Sequence, residues 1–438
     1  MSGDSFKGRS SEEQCSELEA RLRRSDPGEN GYDASEAWST RLDALRELRR
    51  SSADLGADVR LGGINTHIHT AKSFSFFDSA SDAAWSAYGA GVEVFGINDH
   101  YTIDGHPEFR EACSVLGIVP TFSMEAVAMW AEAEEAGATV NDPDNPGRTY
   151  LTSKGVTRAM APDSAGRRDL DTMNAALLAR NREITARVDG LIKAQHGPDA
   201  ALSFDDVLAL TPHGQPTERH VSQALALWIE RHYADATARK SFVEELTSAE
   251  ISTEALADAA SFQNFLRAKL IKSGGAAYVD ESPEAFIPIE RMVSLGLDLG
   301  AVPTYPVLGN PITPWEEDLG VLFDRLAALR IHAIEVIPNR NTRERLRDIC
   351  DTAASRSIPV VNGTEHNTKS PVDLVDKFFF DDEFRPHFER GANVLLGHQE
   401  LRARGEDGFV RDDGSLSLDD PAANLARAEE VGRALRAR

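Results

Sequence analysis

Short apolar runs alternate with helical stretches along most of this chain, and this alternation limits the possible folds more than any other feature. From Val59 onward the apolar runs are VRLGGINTHIHT, VEVFGIND and IVPTFSME, and later LDLGAVPTYPVL, HAIEVIP, IPVVNGTEH and ANVLLGH. Strands that alternate with helices are typical of βα units, which build a parallel sheet or barrel. With TYLTSKG as a further candidate strand, the sequence predicts an α/β fold of about seven strands.

Changes in this pattern divide the chain into four parts. Residues 1–58 are polar and acidic, and the helical spacing within SEAWSTRLDALRELRR predicts an N-terminal helical extension. Residues 59–155 and 291–400 carry the alternation and are assigned to the barrel. Residues 156–290 have a long, polar, helical pattern, which predicts a helical insertion, and residues 401–438 form a C-terminal helical segment.

The composition restricts the class of partner. The 438 residues include 71 acidic and 47 basic residues, a net charge of −24, which repels nucleic acids and anionic membranes. We therefore expect a small-molecule substrate and neither nucleic acid nor membrane as a partner. The three cysteines show no CxxC spacing, which indicates neither a disulfide framework nor a thiolate zinc site. Without an apolar leader or an apolar run of about 18 residues, we expect a cytoplasmic protein.

Two histidines end the first predicted strand. His67 and His69 are two residues apart, so in a strand both imidazoles point to the same face and can converge on one ion. An isolated HxH has about even odds of being a metal site rather than a pair of surface histidines. Other strand ends also carry metal-ligand types, and in a parallel barrel all these ends meet at one rim. They are Asp99, His100, Glu125, Glu365 and His366.

The motifs resemble those of a known family. HIHT, INDHYTIDG and LGIVPTFSME are similar, in this order, to the HxH, TDH and GxE motifs of the PHP (polymerase and histidinol phosphatase) family. Four further stretches resemble the small phosphoesterase branch of that family. They are FDDVLALTPHGQPTERHVSQAL, GGAAYVDESPEAFIPIERMVSLG, IEVIPNRN and VNGTEHN, so the likeness covers roughly residues 60 to 370. The first three motifs are specific, and the later ones are looser.

The resemblance implies a distorted (β/α)7 barrel that holds a cluster of two or three metal ions. It also implies a reaction in which a metal-activated water attacks a phosphate ester. The ligands that it carries over are His67, His69, His100, Glu125 and His366.

The chain departs from the family pattern at several ligand positions. Phe74 lies where an Asp or His is usual, TYLTSKG lacks the family's next histidine, and Tyr305 stands in place of the histidine of an AHP motif. Glu365 and His366 are adjacent, where the family has D-x-H. We therefore expect one or two divalent ions, Zn, Mn or Fe. Asp99, Tyr305 and Glu365 are expected to assist proton transfer or to orient ligands.

Four basic residues are candidates for contacts with an anionic substrate. Arg219 and His220 begin a predicted helix, a place that favours anions, and they match the family's Arg-x-His approximately. Arg340 follows the strand HAIEV and could hold a phosphate or carboxylate, although a surface salt bridge is equally compatible. Lys72 follows HxH and could pair with the substrate or with a carboxylate.

These observations predict a metal-dependent hydrolase that acts on a small phosphate ester. The missing family histidines keep two alternatives open. One is a metal-dependent hydrolase or isomerase of a sugar-like substrate, and the other is a non-catalytic PHP module that binds a ligand.

Overall fold

The computed structural model describes residues 11–23, 34–54, 59–197, 201–211, 214–309 and 311–437. Within these ranges, seven strands form a single sheet whose strand order follows the chain. The strands are β1 (Gly63–Ile68), β2 (Val92–His100), β3 (Val119–Met129), β4 (Arg148–Lys154), β5 (Val302–Val307), β6 (Ala333–Val336) and β7 (Val360–Asn362). None of the helices described is long and apolar enough to cross a membrane.

The sheet closes into a barrel between its first and last strands. Ile68 forms a parallel bridge with Glu365, and the His69 amide donates to the Glu365 carbonyl at 2.9 Å. Strands β1 to β3 are parallel, as are β5 to β7, but β4 runs antiparallel to both of its neighbours. The predicted distorted (β/α)7 barrel is confirmed, with one reversed strand that the expected parallel arrangement did not include.

Helices cover the outside of the barrel. Several begin at a side chain that caps the first turn, such as Ser79, Asp318 and Thr342. Because helices bury the outer face and side chains fill the interior, all six residues of β1 are buried. The covering helices are α3 (Ala80–Gly89), α4 (His106–Leu116), α5 (Ala131–Glu135), α12 (Ile289–Asp298), α13 (Leu319–Ala328), α14 (Arg343–Ser355) and α15 (Arg385–Ala403).

The predicted N-terminal extension contains α1 (Ser11–Leu22) and α2 (Ala34–Asp54). Their leucines, for example Leu45, are buried in the same apolar core as the barrel. The guanidinium of Arg41 donates to both carboxylate oxygens of Glu108 in α4, at 2.8 and 2.7 Å, and both side chains are buried. Residues 1–10, 24–33 and 55–58 of the predicted extension lie outside the described residues.

The predicted insertion has an apolar core of its own. Ile184, Val188 and Leu225 belong to this second core, whereas Leu170 and Met173, nearer the start of α6 (Ala165–His196), belong to the barrel core. One long helix therefore joins the two cores. The helices of this part are α6 (Ala165–His196), α7 (Phe204–Leu208), α8 (Glu218–His232), α9 (Ala236–Thr247), α10 (Thr253–Ala257) and α11 (Ala259–Leu266), followed by a π-helical turn (Arg267–Ile271).

The run ANVLLGH was predicted as a strand, and this prediction is wrong because the run lies in the middle of α15. The final helix, α16 (Pro421–Arg436), packs closely against α15, and a side chain at Gly397 would collide with the backbone of Ala428. Buried between the barrel and α16, this stretch of α15 is apolar on several sides and lacks the helical periodicity that would have identified it.

Candidate metal centre

Three buried side chains converge inside the barrel. The Nε2 atoms of His67 and His69 lie 3.2 Å apart, and each lies 3.5 Å from Oε2 of Glu125. Ligands bonded at about 2.1 Å to a tetrahedral ion are about 3.4 Å from one another. The observed triangle has these dimensions, so His67, His69 and Glu125 could together hold a metal ion.

Strand geometry brings these residues together. His67 lies in β1 and His69 directly follows it, so both imidazoles share one face. Glu125 lies in β3, in register with His100 of β2. The amide of Asn98, two residues before His100, lies 2.9 Å from Nε2 of His67, which places this face of β2 in the interior.

His100 lies at the edge of the cluster, on its more exposed side. Its ring stacks on that of His69 with centroids 4.4 Å apart, and its Nδ1 lies 3.6 Å from Oε2 of Glu125. This nitrogen is buried and has no hydrogen-bond partner among the described residues. A buried ring nitrogen without a partner, next to two imidazoles and a carboxylate, is a further observation that fits a bound cation.

The surroundings of His67 favour the positively charged form of its imidazole. Burial alone would lower the pKa of His67, but Glu335 and Glu125 together raise it to about 9. Burial and the neighbouring histidines lower the pKa of His69, and burial also lowers that of His100. The pKa of Glu125 is lowered despite its burial, because His100 and His67 lie beside it.

Two charged residues that sequence reasoning did not select support the cluster from inside the barrel. Glu335 in β6 accepts a hydrogen bond from Nδ1 of His67 at 2.8 Å, and its Oε1 lies 2.6 Å from Nζ of Lys154 in β4. Both Glu335 and Lys154 have 0% of their side chains exposed. The available signal was a charged residue within each of the strand patterns HAIEVIP and TYLTSKG.

His366 does not join the cluster, which differs from its expected role as a metal ligand. Its Nε2 donates to the carbonyl of Val372 at 3.0 Å, and its Nδ1 accepts from the hydroxyl of Thr364 at 2.8 Å. Both ring nitrogens therefore already have hydrogen-bond partners within the protein. The residue has a φ of 55°, in the left-handed region, so the chain has already left the strand here.

Glu365 contacts both His67, through its backbone, and Arg340, one of the predicted substrate residues. Its backbone closes the barrel against His67, and its carboxylate accepts from Arg340 and, at 2.9 Å, from the amide of Asn367. Burial raises the pKa of Glu365, although Arg340 and His67 oppose the shift. The structure thus brings Glu365 and Arg340 together at the carboxyl end of the barrel.

Asp99 and Tyr305 lie on the outer faces of their strands. Asp99 alternates with the inward-facing Asn98 and His100, and it accepts hydrogen bonds from Thr70 and, at 2.7 Å, from Ser73. The Ser73 hydroxyl also lies 3.3 Å from Nδ1 of His69, so Asp99 reaches the cluster only indirectly.

Tyr305 was expected to act in proton transfer or ligand orientation, and the structure does not bring it to the cluster. It pairs with Ile334, whereas the adjacent Pro306 pairs with the inward-facing Glu335. Its side chain is therefore on the helix side of the barrel, where the hydroxyl donates to Glu316 at 2.9 Å. Alternation along β5 explains the difference.

Two of the four predicted substrate residues lie away from the cluster. His220 is buried, and its Nδ1 accepts from the Thr217 amide at 3.0 Å, so it caps α8, and burial lowers its pKa to about 3. Lys72 and His220 line a cavity of about 120 Å³ together with Lys369. Of the described residues that line this cavity, none belongs to the group His67, His69 and Glu125.

Arg219, a third predicted substrate residue, acts on the cluster through its charge. Its charge contributes to the lowered pKa values of His69 and His100, and burial and Arg267 lower its own pKa to about 10. The guanidinium lies over the ring of Phe74, 5.8 Å from the centroid, and its NH1 lies 3.5 Å from Oδ1 of Asn264. Arg219 therefore places a weakly hydrogen-bonded cation near the candidate centre.

Several solved structures are similar to this chain, including the following two. One is a candidate metal-dependent phosphoesterase from Bifidobacterium adolescentis, which is 18% identical, with a TM-score of 0.48 over 74% of this chain and 94% of that chain. The other is an amidohydrolase from Chromobacterium violaceum with bound sulfate and no metal, 14% identical, with a TM-score of 0.49 over 72% and 90%. No protein-family model and no curated protein matches the chain significantly.

Proposed function

We propose that the chain is a metal-dependent hydrolase of the PHP superfamily that cleaves a small phosphate ester. The observation that carries the proposal is the triangle of His67, His69 and Glu125, whose edges of 3.2 to 3.5 Å match the ligand spacing around one divalent ion. Two imidazoles and one carboxylate suit Zn, Mn or Fe. With His366 held by other partners, one ion is the simplest occupancy.

A divalent ion in such a site polarises a phosphoryl oxygen and lowers the pKa of a water molecule. The protein's own residues would hold and orient the substrate. Arg219 and Arg340 are the proposed contacts for the phosphate, because the charge of Arg219 acts on the histidines of the cluster and the guanidinium of Arg340 is about one-third exposed beside Glu365. Planar guanidinium groups bind phosphate oxygens in pairs.

Glu365 is the proposed proton donor to the leaving group. Burial raises the pKa of the carboxyl group, although Arg340 and His67 oppose the shift. Its backbone is hydrogen-bonded to that of His67, which fixes the backbone position of Glu365 relative to the centre. Arg340 and Asn367 both donate to Oε2 of its carboxyl group.

A second candidate function is hydrolysis or isomerisation of a sugar-like substrate. His366 and Tyr305 both lie outside the cluster, so the set of metal ligands is smaller than the one that the family resemblance implies. This smaller set favours the second candidate. A centre with fewer ions provides fewer contacts for a phosphoryl group. A substrate screen separates this possibility from the first.

The test combines metal analysis with a substrate screen. Untagged protein purified without chelator is measured for metal content per chain and assayed against phosphate monoesters, neutral sugars and lactones. We expect about one equivalent of Zn, Mn or Fe and turnover of a phosphate ester. Turnover of neutral sugars alone would favour the second candidate, and metal without any turnover would favour a ligand-binding module. Failure to bind metal after reconstitution would contradict the proposed centre.

Variants link that activity to the site. His69→Ala and Glu125→Gln should each lose the ion and reduce turnover by at least about 1000-fold, because the reaction depends on the ion. His387→Gln is the matched control, since His387 is a half-buried histidine of α15 outside the cluster. Turnover by metal-free His69→Ala protein would overturn the proposal.

A further inference from the structure

Lys154 is a buried cation at the base of the candidate centre. It is the last residue of β4, and its side chain is 0% exposed. Its Nζ donates to the carbonyl of Thr66 at 3.0 Å and lies 2.6 Å from Oε1 of Glu335. A buried ammonium group requires such partners, because removing it from water is costly. Glu335, one member of this ion pair, also contacts the proposed metal ligand His67.

Oε1 of Glu335 also lies 2.8 Å from Nδ1 of His67. The opposite side of that imidazole, Nε2, faces His69 and Glu125 and lies 2.9 Å from the amide nitrogen of Asn98. Lysine has only hydrogen-bond donors, so it requires Glu335 to accept. Glu335 then accepts from His67 as well, which keeps a proton on Nδ1, so the neutral imidazole that would bind an ion directs its Nε2 lone pair to the ion position.

The reversal of β4 makes this arrangement possible. Because β4 runs antiparallel to β3 and β5, its final residue lies beside Val302 and Ser123, deep in the barrel, instead of at the rim. Thr152, on the same face of β4, donates its hydroxyl to Oε2 of Glu335 at 3.3 Å. Both oxygens of Glu335 are thus held from β4, and the carboxylate is fixed in position beneath His67.

We propose that Lys154 is a positioning residue of the metal centre, which fixes Glu335 as an acceptor and thereby fixes the tautomer and ring orientation of His67. The inference rests on the proposed metal-dependent function, since it requires an ion at His67. It goes further by assigning a role in metal affinity to a residue that contacts neither ion nor substrate.

The test compares metal affinity and coordination in folded variants. Co²⁺ is titrated into metal-free full-length protein, and its affinity and visible absorption spectrum are measured by competition with a chelator. Lys154→Met keeps the volume and removes the donor, and we expect 10- to 100-fold weaker binding with an altered spectrum, on the order found when outer-shell partners are removed. Glu335→Gln should weaken binding to a similar extent, and the double variant should lose little more than either single one.

Two controls separate positioning from general stability. Lys154→Arg keeps the charge and donors, and should retain Co²⁺ affinity within about threefold. Arg41→Met breaks another buried ion pair, with Glu108 in α4, and should lower the unfolding temperature without changing Co²⁺ affinity or spectrum. If Lys154→Met does not fold, Glu335→Gln and Lys154→Arg still provide the comparison.

The outcomes distinguish this inference from the proposed function. Wild-type affinity and spectrum in folded Lys154→Met protein, or in Glu335→Gln where Lys154→Met does not fold, would overturn the positioning role and leave the metal centre intact. An equal loss of affinity in Arg41→Met would also overturn it, because the effect would then be one of stability. Failure of the wild-type protein to bind Co²⁺ would overturn the proposed centre and the inference with it.

Discussion

At the scale of single residues, hydrogen-bond partners decide which of the candidate ligands are available. His67, His69 and Glu125 direct their ligand atoms at one another, at 3.2 to 3.5 Å. His366 instead donates to Val372 and accepts from Thr364, and its ring stacks on that of Phe77. A motif can place a histidine at the right rim without leaving a nitrogen free for an ion.

A substitution of His366 tests this difference. We expect His366→Ala to retain the full metal content of the wild type, because both ring nitrogens serve the loop rather than the cluster. The variant should lose about 1 to 3 kcal/mol of unfolding free energy, since two buried hydrogen bonds are removed. Elemental analysis and urea unfolding measure the two effects. Loss of the ion from a folded variant would instead assign His366 to the centre.

Arg219 is predicted to act in substrate binding. Removing the guanidinium in Arg219→Ala should raise KM for a phosphate ester about 10- to 100-fold, because its charge acts on the histidines of the cluster. Metal content should not change. Arg231→Ala, an exposed arginine near the other end of α8, is the matched control. Steady-state kinetics check the prediction, and an unchanged KM would remove Arg219 from the proposed site.

At the scale of secondary-structure elements, the sequence allowed only those predictions that depend on local residue patterns. The strands near His67, His69 and Glu125 were predicted, because alternation and residue type are local signals, although β3 continues beyond Glu125 to Met129. The direction of β4 was not predicted, since pairing depends on where the chain returns after β3. With 11 residues, β3 extends to Met129, and β4 pairs back along it from Arg148 as an antiparallel ladder. The long β3 favours this local pairing over a parallel crossover.

Dependence on distant parts of the chain also explains why the Glu335–Lys154 ion pair inside the barrel was not predicted. Glu335 and Lys154 are far apart in sequence and meet only because the barrel closes around a reversed strand. Neither residue has a partner at a characteristic spacing, so no motif could join them. Charged residues in otherwise apolar strands were the available signal, and barrel closure decides that both point inward.

The start of α8 is anchored by a carboxylate that is 14% exposed. Glu218 contacts Arg180 of α6, Arg267 of the π-helical turn and Lys272. Burial would raise the pKa of Glu218, but these cations lower it to about 2. A carboxyl group whose pKa is lowered on folding stabilises the native state above its unfolded pKa, and this contribution is lost as the pH falls toward the folded value.

The predicted effect of Glu218→Gln therefore depends on pH. At pH 7 we expect a loss on the order of 2 kcal/mol of unfolding free energy. The difference from the wild type should shrink as the pH falls from about 4.5 toward 2, because the wild-type carboxylate then becomes protonated. Hydrogen exchange of α8 amides at several pH values provides the measurement. Glu230→Gln, an exposed position on the same helix, should have little effect at any pH.

At the scale of the whole molecule, two apolar cores separate the proposed metal centre from part of the proposed substrate site. The strands that carry His67, His69 and Glu125 belong to the barrel core, whereas α8, which carries Arg219, packs in the core of the insertion. The long helix α6 contributes to both. Metal retention and binding of an anion should therefore respond to different destabilising substitutions.

Two matched leucines test this separation. Leu225 in α8 and Leu322 in α13 are both 0% exposed, one in each core, and replacing either with Ala should cost about 2 to 5 kcal/mol. Leu225→Ala should speed hydrogen exchange in the insertion and raise KM while metal release keeps its wild-type urea midpoint. Leu322→Ala should lower the midpoint of metal release, followed with a chromophoric chelator. Equal shifts of both readouts in both variants would mean that the two cores unfold as one unit.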